Sequence, residues 1–255
     1  MGEPFGRNIS LSPARRFIGD LLHFARKVPT IPVQRRMNLA PLRAARERAD
    51  PRPSWVALFT KAYAMVAAGR PELRRAYLSF PWPHLYEHSI SVASVAIERR
   101  WGDEDGVLFA HLRAPEKQPL LKLDRALRRY RQAPVDSVGL FRRIVKLTGL
   151  PWPLRPLAWW LTLHTSGYRR ARQMGTFAVS VYSALGCESL HPLSPLTTTL
   201  NYGVIGGDGR VTVRVVYDHR VLDGATVARA LGQLQEVLSR DLLAELRAER
   251  TRRAA

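Results

Sequence analysis

The spacing of apolar residues changes period along the chain, and each change predicts an element. From 211 to 217, Val211, Val213, Val215 and Tyr217 alternate with Thr212, Arg214 and Val216, which predicts a strand with those four on one face. Beyond Gly224 the period becomes helical, with Val227, Ala228, Leu231, Leu234, Val237 and Leu238 recurring at three- and four-residue spacing. Asp223 precedes that run as an N-cap candidate. Upstream, Ser54 opens a helix in which Trp55, Leu58, Phe59, Ala62, Tyr63, Met65 and Val66 form a broad apolar face up to Gly69. Weaker helical patterns cover 12–24, 39–48 and 120–132; the last has Leu121, Leu123, Leu127 and Tyr130 inside and Arg125, Arg128, Arg129 and Arg131 mostly outside. Strands are predicted over 88–98, 107–112, 176–182 and 200–205, and Gly206-Gly207-Asp208-Gly209 makes a hairpin turn into 211–217.

One region has a different texture. Leu140, Phe141, Ile144, Val145 and Leu147 predict a short amphipathic helix ended by Gly149, and Pro151-Trp152-Pro153 and the apolar run Leu157–Leu163 follow. Arg142, Arg143 and Lys146 bracket it on one side, and Arg169, Arg170 and Arg172 on the other. A short tryptophan-rich segment flanked by arginine fits an interfacial membrane helix, with contact through 150–165. It equally fits the cover of an acyl-binding tunnel or a subunit contact. The sequence leaves these three open.

Composition narrows the picture. A formal net charge of +19 over 255 residues calls for an anionic partner without choosing one. Nucleic acid is disfavoured, because the arginines fall into no binding motif. The single cysteine, Cys187, excludes an intrachain disulfide. Arg15-Arg16 does not open an export signal, since Asp20, His23, Arg26 and Lys27 interrupt the apolar stretch such a signal needs. No apolar run reaches the roughly 18 residues of a membrane span. His84-Leu85-Tyr86-Glu87-His88 matches a zinc-protease pattern, but that chemistry needs a helix, and the prolines before it with the strand pattern after it predict chance. No metal is expected.

The candidate chemistry lies at the corner between the 211–217 strand and the helix that follows. His219 continues the parity of Val211 to Tyr217, while Asp218 and Arg220 point the other way and can pair. Partial burial beside apolar neighbours would favour the neutral imidazole that a general base needs. The plainer reading is a charged turn holding an ordinary histidine.

The run Asp218-His219-Arg220-Val221-Leu222-Asp223-Gly224, entered from a strand and left through a helix, resembles the C-terminal signature of the dihydrolipoyl acyltransferase catalytic domain of 2-oxo acid dehydrogenase complexes. Chloramphenicol acetyltransferase shares that domain's fold. The resemblance spans Arg16 to Leu238 and includes Pro71-Glu72-Leu73 and Thr176-Phe177-Ala178-Val179-Ser180.

The resemblance implies an α/β fold, a two-layer α+β sandwich of the chloramphenicol acetyltransferase type, with a mixed sheet covered by helices and a trimeric building block. Residues 1–35 are then expected as a basic arm, 36–240 as the catalytic domain with 137–170 as an insertion, and 241–255 as a frayed basic tail. His219 would be the general base, Ser180 the oxyanion donor and Asp223 the residue holding the corner, with Asp218, Arg220 and Gly224 as structural supports. The histidine of one subunit would meet the serine of another, so a homotrimer or larger homo-oligomer is expected. No lipoyl or peripheral-subunit-binding domain is recognisable in the 255 residues, which implies a stand-alone enzyme. Its donor would be acyl-coenzyme A or an acidic acyl carrier protein, its acceptor a thiol, hydroxyl or amine, with no covalently bound cofactor. A cytoplasmic location, with a peripheral membrane contact as a variant of it, completes the expectation. The alternative function is a non-catalytic oligomeric scaffold of the same fold that binds an anionic partner or membrane surface.

Overall fold

The computed structural model describes residues 6–102 and 104–254. Their main layer is a six-stranded mixed sheet of β1 (Thr30–Asn38), β4 (Val92–Trp101), β5 (Glu104–Arg113), β6 (Phe177–Val179), β7 (Thr198–Tyr202) and β8 (Arg210–Asp218), in the order β1-β8-β7-β6-β4-β5. Strand β6 runs parallel to both β4 and β7, and the other pairings are antiparallel. A separate ribbon joins β2 (Arg75–Leu78) to β3 (His84–Glu87). The zinc-protease pattern therefore begins on a strand, and the described residues contain no cluster able to hold a metal.

One face of the sheet packs on α2 (Ala40–Glu47), α3 (Trp55–Gly69), α4 (Leu120–Gln132), α8 (Gly224–Ser239) and α9 (Asp241–Ala254). Helix α3 starts where the sequence predicts: Ser54 Oγ accepts the Ala57 N–H at 3.2 Å, supplying one of the partners that a helix start lacks. Val211, Val213, Val215 and Tyr217 lie in this core, as the alternation requires. Val216, Arg214 and Asp218 are buried as well, because the second face of β8 is also covered. The hairpin turn holds too: the Gly206 N–H reaches the Arg210 carbonyl at 2.9 Å. Gly209 there has φ +78, and a Cβ on it would stand 2.4 Å from the Ala40 Cα, so only glycine fits.

The ends of the chain differ from the expectation. Residues 241–254 are helix α9 and not a frayed tail, since Leu242, Leu243 and Leu246 enter the core. Glu245 of α9 holds Lys61 at 2.6 Å and accepts the Leu120 N–H at 2.8 Å. The expected arm contains α1 (Pro13–Ala25), capped by Ser12, and most of β1, which pairs with β8 from Thr30↔Asp218 to Asn38↔Arg210. Pro32 is tolerated because β1 is an edge strand.

The 137–170 region forms α5 (Gly139–Thr148) and α6 (Leu154–His164) and enters α7 (Gly167–Met174). These pack with α1 around a second core on the other side of the sheet. Trp159, 1% exposed, is its centre: its ring lies 5.7 Å from Phe17 and stacks 6.0 Å from Phe24. Trp152, Leu154, Leu157 and Leu161 stay exposed. Among the described residues no helix is long and apolar enough to cross a membrane.

Candidate active site

Strand β8 ends at Asp218 and α8 begins at Gly224, so the motif is the strand-to-helix corner that the sequence predicts. Asp218 is fully buried and organises it. Its Oδ1 accepts from the Arg220 backbone N–H at 3.0 Å and from Arg220 Nε at 2.9 Å, while Oδ2 accepts from Arg220 Nη2 at 2.7 Å. This forked, charge-assisted pairing fixes the turn on either side of His219. The guanidinium of Arg220 also lies 4.3 Å above the Tyr77 ring.

A second cation stands behind the pair. Arg170 of α7 is 4% exposed and donates to the carbonyls of Tyr77 at 2.8 Å and Pro195 at 2.6 Å. Burial pushes its guanidinium down to about 10, and Asp218 is the charge that opposes the fall. Arg170 and Tyr77 are supports that the sequence reading missed. The legible signal was Gly167 three residues before Arg170, which places the two together on the buried face of α7.

His219 itself is held by its backbone N–H on the Pro29 carbonyl at 3.0 Å and by its ring Nδ1 on the Leu222 carbonyl at 3.0 Å. A carbonyl only accepts, so Nδ1 carries the hydrogen in this contact and the neutral ring presents its lone pair at Nε2. The side chain is 46% exposed, so one chain alone does not supply the burial expected of it. Within one chain, Asp223 stands outside this hydrogen-bond network. Its carboxylate makes no cap hydrogen bond, is 86% exposed and lies 3.9 Å from His219 Nδ1, beyond hydrogen-bond distance. Gly224 opens α8 beside Tyr217, where a Cβ would make an ordinary contact with the phenol oxygen at 3.4 Å.

Ser180 follows β6 directly, so the strand is shorter than the sequence predicts. Its backbone is pinned from both sides: the N–H donates to Leu200 O at 3.1 Å, and the carbonyl accepts from the buried Asn201 side chain at 2.6 Å. The side chain borders a cavity of about 280 Å³ beneath α1 and a wider cleft of about 590 Å³ that passes Arg46, Trp55 and Arg131.

Within one chain the two candidate residues are apart. Ser180 sits level with Leu200, which pairs with Val215, four residues before His219 on β8 and two strands away. At about 3.3 Å per residue and 4.8 Å per strand, their backbones are on the order of 16 Å from each other.

No protein-family model matches the sequence, and no curated protein matches it. Solved structures do. The dihydrolipoamide acetyltransferase (E2p) of Azotobacter vinelandii gives a TM-score of 0.70 at 19% identity, over 96% of this chain and 95% of that one. A probable dihydrolipoamide acetyltransferase from Listeria monocytogenes gives 0.66 at 16% identity, over 91% and 94%. A truncated catalytic core of the 2-oxoacid dehydrogenase multienzyme complex from Thermoplasma acidophilum gives 0.65 at 14%, over 92% and 99%. The chain has the fold of a dihydrolipoamide acetyltransferase core.

On that acetyltransferase fold, the sheet face away from α3 and α8 carries a further chamber. It measures about 340 Å³ and lies between β4 and β5 and the helices α5 and α6. Its polar lining group of note is His111, which burial and the nearby Arg143 charge push down to about 4, leaving the ring neutral at pH 7. Beside its rim, Arg143, Arg169 and Arg172 share an open basic pocket.

Proposed function

We propose that this chain is an acyltransferase that moves an acyl group from a coenzyme A or carrier-protein thioester to a thiol, hydroxyl or amine, and that its site is completed between copies of the chain. The observation that carries the reading is the corner: a histidine whose Nδ1 is committed to a carbonyl, leaving Nε2 outward, on a turn locked by a buried aspartate and its arginine.

In the reaction, Nε2 takes the proton from the acceptor, whose heteroatom attacks the thioester carbonyl. The tetrahedral oxyanion collapses, the C–S bond breaks, and the thiolate leaving group receives the proton. Ser180 of a neighbouring copy donates to the oxyanion, a contribution of about 3 kcal/mol for one such donor. The separation of His219 and Ser180 within one chain, and the exposure of the imidazole, support a site completed by another copy of the chain; the resemblance to the trimeric acyltransferase cores makes that assembly at least three copies. The Azotobacter protein was investigated for the role of a serine, a histidine and an asparagine in its catalytic mechanism; the asparagine is four positions past the histidine, where this chain has Asp223. A related solved structure is the cubic core of the pyruvate dehydrogenase multienzyme complex. Arg46 and Arg131 along the wide cleft suit an anionic donor.

The test is thiol release from acyl-coenzyme A and acyl carrier-protein donors by the wild type, His219→Ala and Ser180→Ala, with oligomeric state measured alongside. Loss of roughly 10²–10⁴-fold on removing the base, and about a hundredfold for the serine, is expected in an intact oligomer. A monomer, or a His219→Ala variant as active as wild type, overturns the reading. Silence of the wild type with every donor favours the oligomeric scaffold.

A further inference from the structure

Resting on that reading, we propose that the acyl group carried by this chain is a long aliphatic one, lodged in a bent, largely apolar passage that runs from Ser180 to the underside of α5 and α6. The two cavities on this face of the sheet are neighbours in series. The first, of about 280 Å³, begins at Ser180 and passes under Ile18 of α1. The second, of about 340 Å³, is walled by Phe17, Leu140, Ile144, Leu147 and Trp159. Ser94, Phe109 and Met174 line both, so they form the junction.

Sheet register sets the course and reach of the passage. Ala178 of β6 lies opposite Ser94 of β4, and Ser94 lies opposite His111 of β5, so it crosses two strand spacings, about 10 Å, before turning up beneath the helices. Over β6 and β4 its floor is made of small side chains, Ala178, Ser94 and Ala96, while Phe109 of β5 and the facing helices supply large apolar ones. That contrast leaves a trough over β6 and β4, which leucine or phenylalanine at those three positions would close. Arg143 and Lys146 are exposed and belong to the rim. A rigid ring system does not follow the bend, whereas a chain of methylenes does. Each cavity is near the size of a small-molecule site, about 300 Å³ upward.

The experiment uses the 255-residue chain in its native assembly, with thioether analogues of acetyl-, octanoyl- and palmitoyl-coenzyme A, which bind without turning over, in calorimetric titration. Thiol release from the matching thioesters is measured in parallel. Burial of a methylene favours binding about fourfold, so octanoyl should bind more than roughly a hundredfold tighter than acetyl after ordering costs. Ser94→Leu, at the junction, should restrict binding and turnover to the shortest chains. Ile144→Trp, at the far end, should retain octanoyl and lose palmitoyl. Should Ser94→Leu fail to fold, Ile144→Trp carries the test.

Equal affinity for acetyl and octanoyl analogues, or an unchanged chain-length profile in the folded variants, overturns the proposal. Turnover confined to acetyl donors overturns it while leaving acyl transfer intact. Chain-length-dependent binding with no turnover of any donor upholds the passage and removes the catalytic reading.

Discussion

Replacing Asp218 with Asn probes the corner most directly, because the change is nearly isosteric and removes one charge. The carboxylate is wholly buried and receives three hydrogen bonds from Arg220, two of them from the guanidinium. Removing one partner of a buried ion pair typically costs 3–5 kcal/mol. The Arg220 side chain is 32% exposed and can turn to water, which moderates the loss. Arg170 cannot move in this way: it stays buried on the Tyr77, Leu163 and Pro195 carbonyls, without the carboxylate that opposed its depression. We therefore expect about 3 kcal/mol, or a Tm lowered by roughly 6–12 °C for a chain of this size at fixed protein concentration. Thermal unfolding followed by circular dichroism reads the shift. A cycle with Arg170→Met should show at least about 1 kcal/mol of coupling, the double variant being less unstable than the two single losses added. A Tm within 2 °C of wild type, or strict additivity, would refute the account of Asp218 as the charge on which the corner is built.

Three further outcomes follow from the packing. Ending the chain after Arg240 removes three buried leucines at about 2–5 kcal/mol each, against a total stability of about 5–15, and strips Lys61 of its partner, so the 1–240 chain should be insoluble or unfolded in an expression trial; an unchanged Tm would mean that α9 is dispensable. His88 and His111 are pushed down to about 4 from an ordinary 6.5, chiefly by burial, so the unfolded chain binds protons that the folded chain does not between those values. Stability should then be full above pH 6.5 and fall as pH drops towards 4, by up to about 1.4 kcal/mol per pH unit for each histidine; urea midpoints at pH 7, 6 and 5 test this, and His88→Gln should flatten the slope. Ser54→Ala should lower the Tm by about 2–4 °C through the lost α3 cap, with activity retained.

Legibility in the sequence followed the range of the interactions. The α3 start, the Gly206–Gly209 turn and the β8–α8 corner are set by residues within a few positions of each other, and their pattern carries them. Asp218 pairing with Arg220 is likewise local. What escaped depends on contacts far along the chain. Arg170 resembled the solvated arginines around it, and its burial is decided by Tyr77 and Pro195 carbonyls brought in by other elements. Residues 241–254 resembled a basic tail because Leu242, Leu243 and Leu246 are diluted among charges, and which way that helix faces is set by contacts far along the chain, such as Lys61–Glu245 and the Leu120 N–H on Glu245. The role of Ser180 was the least legible, since its bearing on His219 depends on how copies of the chain meet.

The packing of α5, α6 and α7 bears on how the region could have been acquired or engineered. It cannot be lifted out as a cassette. Cutting away 137–170 would bare Phe17, Leu21 and Phe24 of α1, which close on Phe141, Trp159 and Leu163. It would also take Arg170 from the carbonyls of Tyr77 and Pro195, beneath the corner that carries His219. Grafting the segment onto a shorter relative would meet the same obstacle in reverse: the host would need an apolar first helix and a ribbon positioned to receive a buried guanidinium before the new helices could settle.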